Sequence, residues 1–287
     1  MIRNVTEMKI PLDSPAISFK RQDNLKKACT EYLLSIGIDR AVIPLAFQRA
    51  VKEQERYEEQ LVALNRNIYD RSREQDEITI VLAGRPYHAD PLIQHKLGEM
   101  IASLGVNVVS DDLVRGDHSI QVDESHMVQQ WAYVNRILKA ATWVADRDER
   151  VHFVQMTSFG CGPDAFLTDE VRDILNRKGK SLTLLKIDDI NNIGSIKLRV
   201  RSLVDSLKYN QRGEQSHAPQ PFVTTRKFQR ADRKRTILVP FFTGFVSPLI
   251  PAAFEVAGYH FETLPVSDTE SAEYGLKYAN NEVCYPA

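Results

Sequence analysis

Cysteine is scarce in this sequence. Its 287 residues hold only Cys29, Cys161 and Cys284, all far apart. Thiols so few and scattered exclude a disulfide framework, and the lack of any Cys-x-x-Cys pair disfavours zinc. Each cysteine must then be weighed as packing, nucleophile or metal ligand. Charge of one sign is missing too, with 37 Lys and Arg against 38 Asp and Glu. No overall field favours nucleic acid or an anionic membrane, so any binding must come from a local site. The longest apolar runs, residues 78–83 and 236–242, fall far short of the roughly twenty needed to cross a bilayer. The opening Met-Ile-Arg-Asn-Val-Thr-Glu has no apolar core behind its basic residue, unlike a secretory signal. The expectation is a cytoplasmic protein with no nucleic-acid or membrane partner. Neither Gly-x-Gly-x-x-Gly nor the Walker lysine motif occurs, so no phosphate-cradling loop is expected.

What is present divides the chain. Residues 24–34 place Leu25, Ala28, Cys29 and Leu33 at helical spacing, which makes Cys29 a small packed hydrophobe. Residues 43–74 form a long, charged, glycine-free run, read as a helical arm, so 1–75 is taken as an N-terminal helical region. From residue 78 a β-branched run ending at Gly84 predicts a buried parallel strand. Helix is expected over 91–104, strand over 106–109, and helix over 127–144 with Trp131, Val134, Leu138 and Ala141 on one face. Strand 151–156, helix 164–177, strand 181–187 and helix 195–207 complete an α/β domain over 76–208. The alternation predicts an open, mostly parallel sheet with helices on both faces. Residues 209–234 are polar and basic without periodicity, read as a linker. A second α/β unit starts at 235, with strand 236–242 and helix 247–257, and 235–287 is too short to finish a sheet. The natural protein is expected to continue beyond it.

In open parallel sheets ligands bind beyond the carboxyl ends of the strands. Two loops fall there. Gly84-Arg85-Pro86-Tyr87-His88-Ala89-Asp90-Pro91 concentrates a cation, a phenol, an imidazole and a carboxylate after the first strand. The plainer reading is that Asp90 only caps the next helix and His88 is solvated. Ser158-Phe159-Gly160-Cys161-Gly162-Pro163-Asp164 follows the third strand. Its glycines permit close backbone approach, and the helix opening at Pro163 and Asp164 would favour a thiolate at Cys161. That suits an iron ligand or a nucleophile, while a structural cysteine in a tight turn remains the plainer reading. A thiol enzyme needs a paired base, and spacing assigns that role to neither His88 nor His152. Candidate cleft residues are thus Arg85, Tyr87, His88, Ser158 and Asp164. Cys284 sits in a third loop-like stretch, Asn280-Asn281-Glu282-Val283-Cys284-Tyr285-Pro286. An iron-sulfur cluster held across a cleft by separated loops stays open.

These same strings resemble a known family. Gly84-Arg85-Pro86-Tyr87-His88 with Asp90-Pro91, then Trp131, Tyr133 and Arg136, then the run from Ser158 to Ala165, are similar to the CoA-enzyme-activase-related proteins. So are Leu185-Lys186-Ile187-Asp188, Arg199 with Arg201-Ser202, and Asn280-Asn281 with Cys284-Tyr285-Pro286-Ala287. These are the long fused activators of 2-hydroxyglutaryl-CoA dehydratase, and the resemblance spans about residues 8–287. It implies a dehydratase-like segment of α/β domains holding a 4Fe-4S cluster. In that system an ATPase activator passes an electron to the dehydratase component, enabling dehydration of a 2-hydroxyacyl-CoA or a related reduction. By motif, Cys161 and Cys284 match cluster-ligand cysteines and Cys29 matches none. The actin-like ATPase motifs are absent, so ATPase activator domains or subunits are expected as partners, with acyl-CoA as a ligand. Further family cysteines would follow the point where this chain stops. Two other readings are carried: a non-catalytic scaffold whose helical arm docks other domains, and a CoA or nucleotide binder without redox chemistry.

Overall fold

The computed structural model describes residues 13–19, 21–122, 131–158, 162–187, 193–210 and 228–278. Contacts group the chain into two compact units, 1–64 and 65–287. In the first, α1 (Gln22–Ser35) carries Cys29 half-buried rather than fully packed. The second helix, α2 (Ile43–Glu74), runs without a break over 32 residues, as its glycine-free, charged sequence predicts.

The larger unit is built on a four-stranded parallel sheet in the order β2-β1-β3-β4. Its strands are β1 (Thr79–Ala83), β2 (Asn107–Ser110), β3 (Val151–Thr157) and β4 (Leu182–Lys186). All of β1 is buried and nearly all of β3, so these two are central. Alternation along the strands sends Val81, Ala83, Val151 and Phe153 to one face, where they pack with α4 (Ala132–Ala145) and α5 (Gly162–Asn176). Ile80, Leu82, Val154 and Met156 go to the other face, against α3 (Leu97–Ala102) and α6 (Ile193–Asn210). Two-sided burial explains why the strands read as continuous apolar runs. The far end of α2 belongs to this unit. Tyr69 packs edge-on against Trp143 at 4.8 Å, and the Asn65 side chain accepts the Ser110 amide at 2.7 Å.

Around this sheet, two expected helices differ. The helix expected over 91–104 forms only as α3, six residues long. His95 and Lys96 take φ +54° and +56°, which breaks the helical path before Leu97. Trp131, placed on the buried face of the next helix, is instead its N-cap and 43% exposed. Val134, Leu138 and Ala141 do form that face. The linker residues 211–227 lie outside the described residues.

A second, two-stranded parallel sheet pairs β5 (Thr236–Val239) with β6 (His260–Thr263). Between them runs α7 (Leu249–Glu255), whose Phe254 stacks on Phe261 with centroids 4.2 Å apart. The strand and helix read over 236–242 and 247–257 are thus shorter at their ends, and α8 (Thr269–Tyr278) follows.

Candidate functional site

Strand order places β2 and β4 on opposite sides of the β1–β3 pair, so the winding direction reverses between β1 and β3. The helices follow: α3, after β1, covers one face, while α4 and α5 cover the other. At such a switch point the loops leaving the two central strands diverge and open a crevice. Here the loop after β1 spans 84–90 and contains a short 3-10 turn over Pro86–Ala89, while β3 is followed by Ser158 and, further along the chain, by α5.

Side chains from the two loops meet. The Arg85 guanidinium grips the Asp164 carboxylate, Nε donating at 3.0 and 2.9 Å to its two oxygens and Nη2 at 2.9 Å to Oδ1. Asp164 lies in the first turn of α5, where the helix dipole favours an anion. The pair is mostly shielded, with side-chain exposures of 20% and 7%. A geometry this well matched offsets much of the desolvation that a buried pair suffers. Tyr133, from the start of α4, lies with its ring centroid 5.4 Å from the Arg85 guanidinium carbon and stacks on Trp131 at 6.2 Å.

Behind this pair lies a second set of contacts. His88 is fully buried, which corrects the reading of it as solvated. Its Nδ1 accepts the Arg85 amide at 3.1 Å, and its Nε2 lies 3.1 Å from Ser158 Oγ. Ser158 Oγ in turn is 2.9 Å from the Tyr87 hydroxyl. Burial pulls the His88 pKa down to about 4, the nearby Asp164 opposing that shift and Arg85 adding to it. At neutral pH the ring is therefore uncharged, with Nδ1 bare and the proton on Nε2. Gly84 makes room for this: a Cβ there would stand 2.6 Å from His88 Nδ1. Asp90 does not cap a helix, because α3 opens only at Leu97; its Oδ1 accepts the Leu92 amide at 2.7 Å within the turn that precedes it.

The structure thus brings Arg85, Tyr87, His88, Ser158 and Asp164 into one place, although the two loops are some seventy residues apart. Cys161 and Cys284 lie outside the described residues. His152 is elsewhere, in the first half of β3; burial and the charge of Lys180 pull its pKa down to about 4. Sequence reasoning gave no role to Tyr133 or to a buried charge cluster at the end of β2. There Arg136 Nε bonds Asp111 Oδ2 at 3.0 Å, and Arg115 bonds Asp112 at 2.9 and 2.7 Å. The acidic doublet Asp111-Asp112 directly after a strand was the available signal. Burial raises the Asp111 pKa to about 6, Arg136 opposing and Asp112 adding to it.

A groove of about 550 Å³ lies between β4 and α6, lined in part by Leu182, Leu184, Leu198, Arg199, Ser202 and Leu203. It gathers no convergent set of titratable groups, and the switch-point crevice does, so the latter is the candidate site. Among the described residues no helix is long and apolar enough to cross a membrane.

Comparison with known proteins gives one match. No curated protein and no solved structure matches the chain. Residues 1–114 match the family described as the CoA enzyme activase uncharacterised domain. The matched stretch takes in Arg85, Tyr87 and His88 and stops short of Ser158 and Asp164. Over that stretch, the chain is similar to the CoA-enzyme-activase-related proteins.

Proposed function

We propose that this chain is the dehydratase-like segment of a cytoplasmic acyl-CoA dehydratase and activase system. It would bind the reacting end of an acyl-CoA in the β1–β3 crevice and take part in 2-hydroxyacyl-CoA dehydration or a related reduction. ATPase activator domains or subunits would be its partners. The observation carrying this reading is the meeting of Arg85, Asp164, Tyr87, Ser158 and His88 at the switch point. Cys161 follows Ser158 by three residues in the sequence, and the family match supplies the CoA context.

A 4Fe-4S cluster takes four protein thiolates. This chain holds three cysteines, one of them Cys29 in α1. Among the described residues no group of three His, Cys, Asp or Glu could hold a metal. The chain's own donors therefore do not fit a complete cluster. The proposal gives Cys161 and Cys284 a share in a cluster whose remaining thiols come from outside these 287 residues.

Two measurements test the reading. Anaerobic iron reconstitution of the full protein should give a brown chromophore that Cys161→Ser diminishes; equal iron in both would remove the cluster. An acyl-CoA at a hundred times its dissociation constant should stabilise the fold by about 2.7 kcal/mol. Stabilisation without any iron dependence would favour a plain CoA or nucleotide binder.

A second reading, a scaffold whose arm docks a partner domain, is favoured by one feature. Tyr57 and Leu64, two turns apart on α2, are 56% and 59% exposed. Loss of activator capture on replacing both by serine would support it, and unchanged capture would count against it.

A further inference from the structure

Counting protons through the buried contacts fixes a direction that the distances alone leave open. The Arg85 amide can only donate, so His88 Nδ1 must accept. The neutral ring then carries its proton on Nε2 and donates to Ser158 Oγ. Ser158 has one proton and one further neighbour at hydrogen-bond distance among the described residues, the Tyr87 hydroxyl. Were Tyr87 to donate to Ser158, the serine proton would be left without an acceptor among those residues. Ser158 is only 4% exposed, so water would not replace that partner cheaply. The favoured order therefore runs from the Arg85 amide to His88, from His88 to Ser158, and from Ser158 to Tyr87.

Every bond in this order points the same way, and each strengthens the next. The last member is a phenol whose own proton is unspent. Tyr87 is 38% exposed at the rim of the crevice, so that proton can reach a ligand. What it suits is an acceptor oxygen with no proton to give.

Resting on the reading of this crevice as an acyl-CoA site, we propose that Tyr87 donates its hydroxyl proton in a hydrogen bond to the acyl carbonyl oxygen, with Ser158 and His88 as the positioning residues that aim it. A donor fixed in advance suits an oxygen that gains negative charge during reaction, because no reorganisation is needed when the charge appears. The partners already present, and Gly84 beneath His88, hold that geometry before any ligand arrives.

The test compares acetyl-CoA with CoA, which lacks the carbonyl, by calorimetric titration of the full chain. Tyr87→Phe should weaken acetyl-CoA by about tenfold and leave CoA unchanged. Ser158→Ala should give a smaller loss with the same selectivity, whereas a merely structural role would weaken both ligands together. Equal effects on both ligands, or none, overturn the donor assignment while leaving the acyl-CoA reading intact. If neither ligand binds the wild-type chain, the acyl-CoA reading and the ligand class both fail. The proton order is checked separately by the ring nitrogen shifts of His88 at pH 7. A bare Nδ1 and protonated Nε2 are expected, and the opposite tautomer overturns the relay whatever binds.

Discussion

At the scale of single residues, the account turns on groups that have little room to change. Gly84 is the clearest case, since a methyl there would meet His88 Nδ1 at 2.6 Å and Met156 Cε at 3.2 Å. Gly84→Ala should therefore push the imidazole off the Arg85 amide and destabilise the fold by about 1–3 kcal/mol in urea titration. The Arg85–Asp164 pair makes a different prediction. Arg85→Met leaves a carboxylate only 7% exposed without its cation, a loss of about 3 kcal/mol. Combining it with Asp164→Leu should recover much of that, because an apolar pair leaves no buried charge behind; additive losses would contradict this. The five polar residues could be picked from sequence because they sit in the loops after β-branched runs, where open sheets bind ligands. Their pairing could not, since Arg85 reaching Asp164 and Tyr87 reaching Ser158 depend on which strands are neighbours.

At the scale of elements, local sequence was informative wherever one period dominated. The glycine-free run over 43–74 is α2 to the residue, and the β-branched run at 78–82 is β1 shifted by one. Reading failed where backbone conformation overrode periodicity, as at His95 and Lys96, whose left-handed φ values nothing in the side chains announces. That turn yields its own prediction. Lys96→Gly should raise stability by about 0.5 kcal/mol, the relief of left-handed strain exceeding the added chain entropy. A loss of stability would mean that this turn is not strained. Trp131 was misplaced for a related reason: its spacing fits the apolar stripe of α4, but the helix begins one residue later and leaves it on the rim. Within that stripe, Leu138 is fully buried between α4 and the sheet, and Leu138→Ala should cost about 2–5 kcal/mol.

At the scale of the whole molecule, buried titratable groups set how the fold responds to acid. His88 and His152 are both drawn from 6.5 to about 4 by burial. Between those values the unfolded chain binds more protons, so each histidine's contribution is full above pH 6.5 and lost as pH falls toward 4. Asp111 works in the other direction, since its pKa is raised from 3.8 to about 6 and the folded chain binds the extra proton in that window. Two histidines against one aspartate predict a net loss on acidification. The fall in urea midpoint from pH 7 to pH 4.5 should be shallower in His152→Asn and steeper in Asp111→Asn. Parallel wild-type and mutant profiles would contradict the assignment. The open parallel sheet followed from the alternation of strands and helices, whereas the order β2-β1-β3-β4, and with it the position of the crevice, could only come from the three-dimensional structure. That position is the central claim, and amide hydrogen exchange with and without acetyl-CoA addresses it most directly. Protection gained in residues 84–90 and 158–164 is the predicted result. Protection confined to the groove between β4 and α6, or to α2, would contradict it.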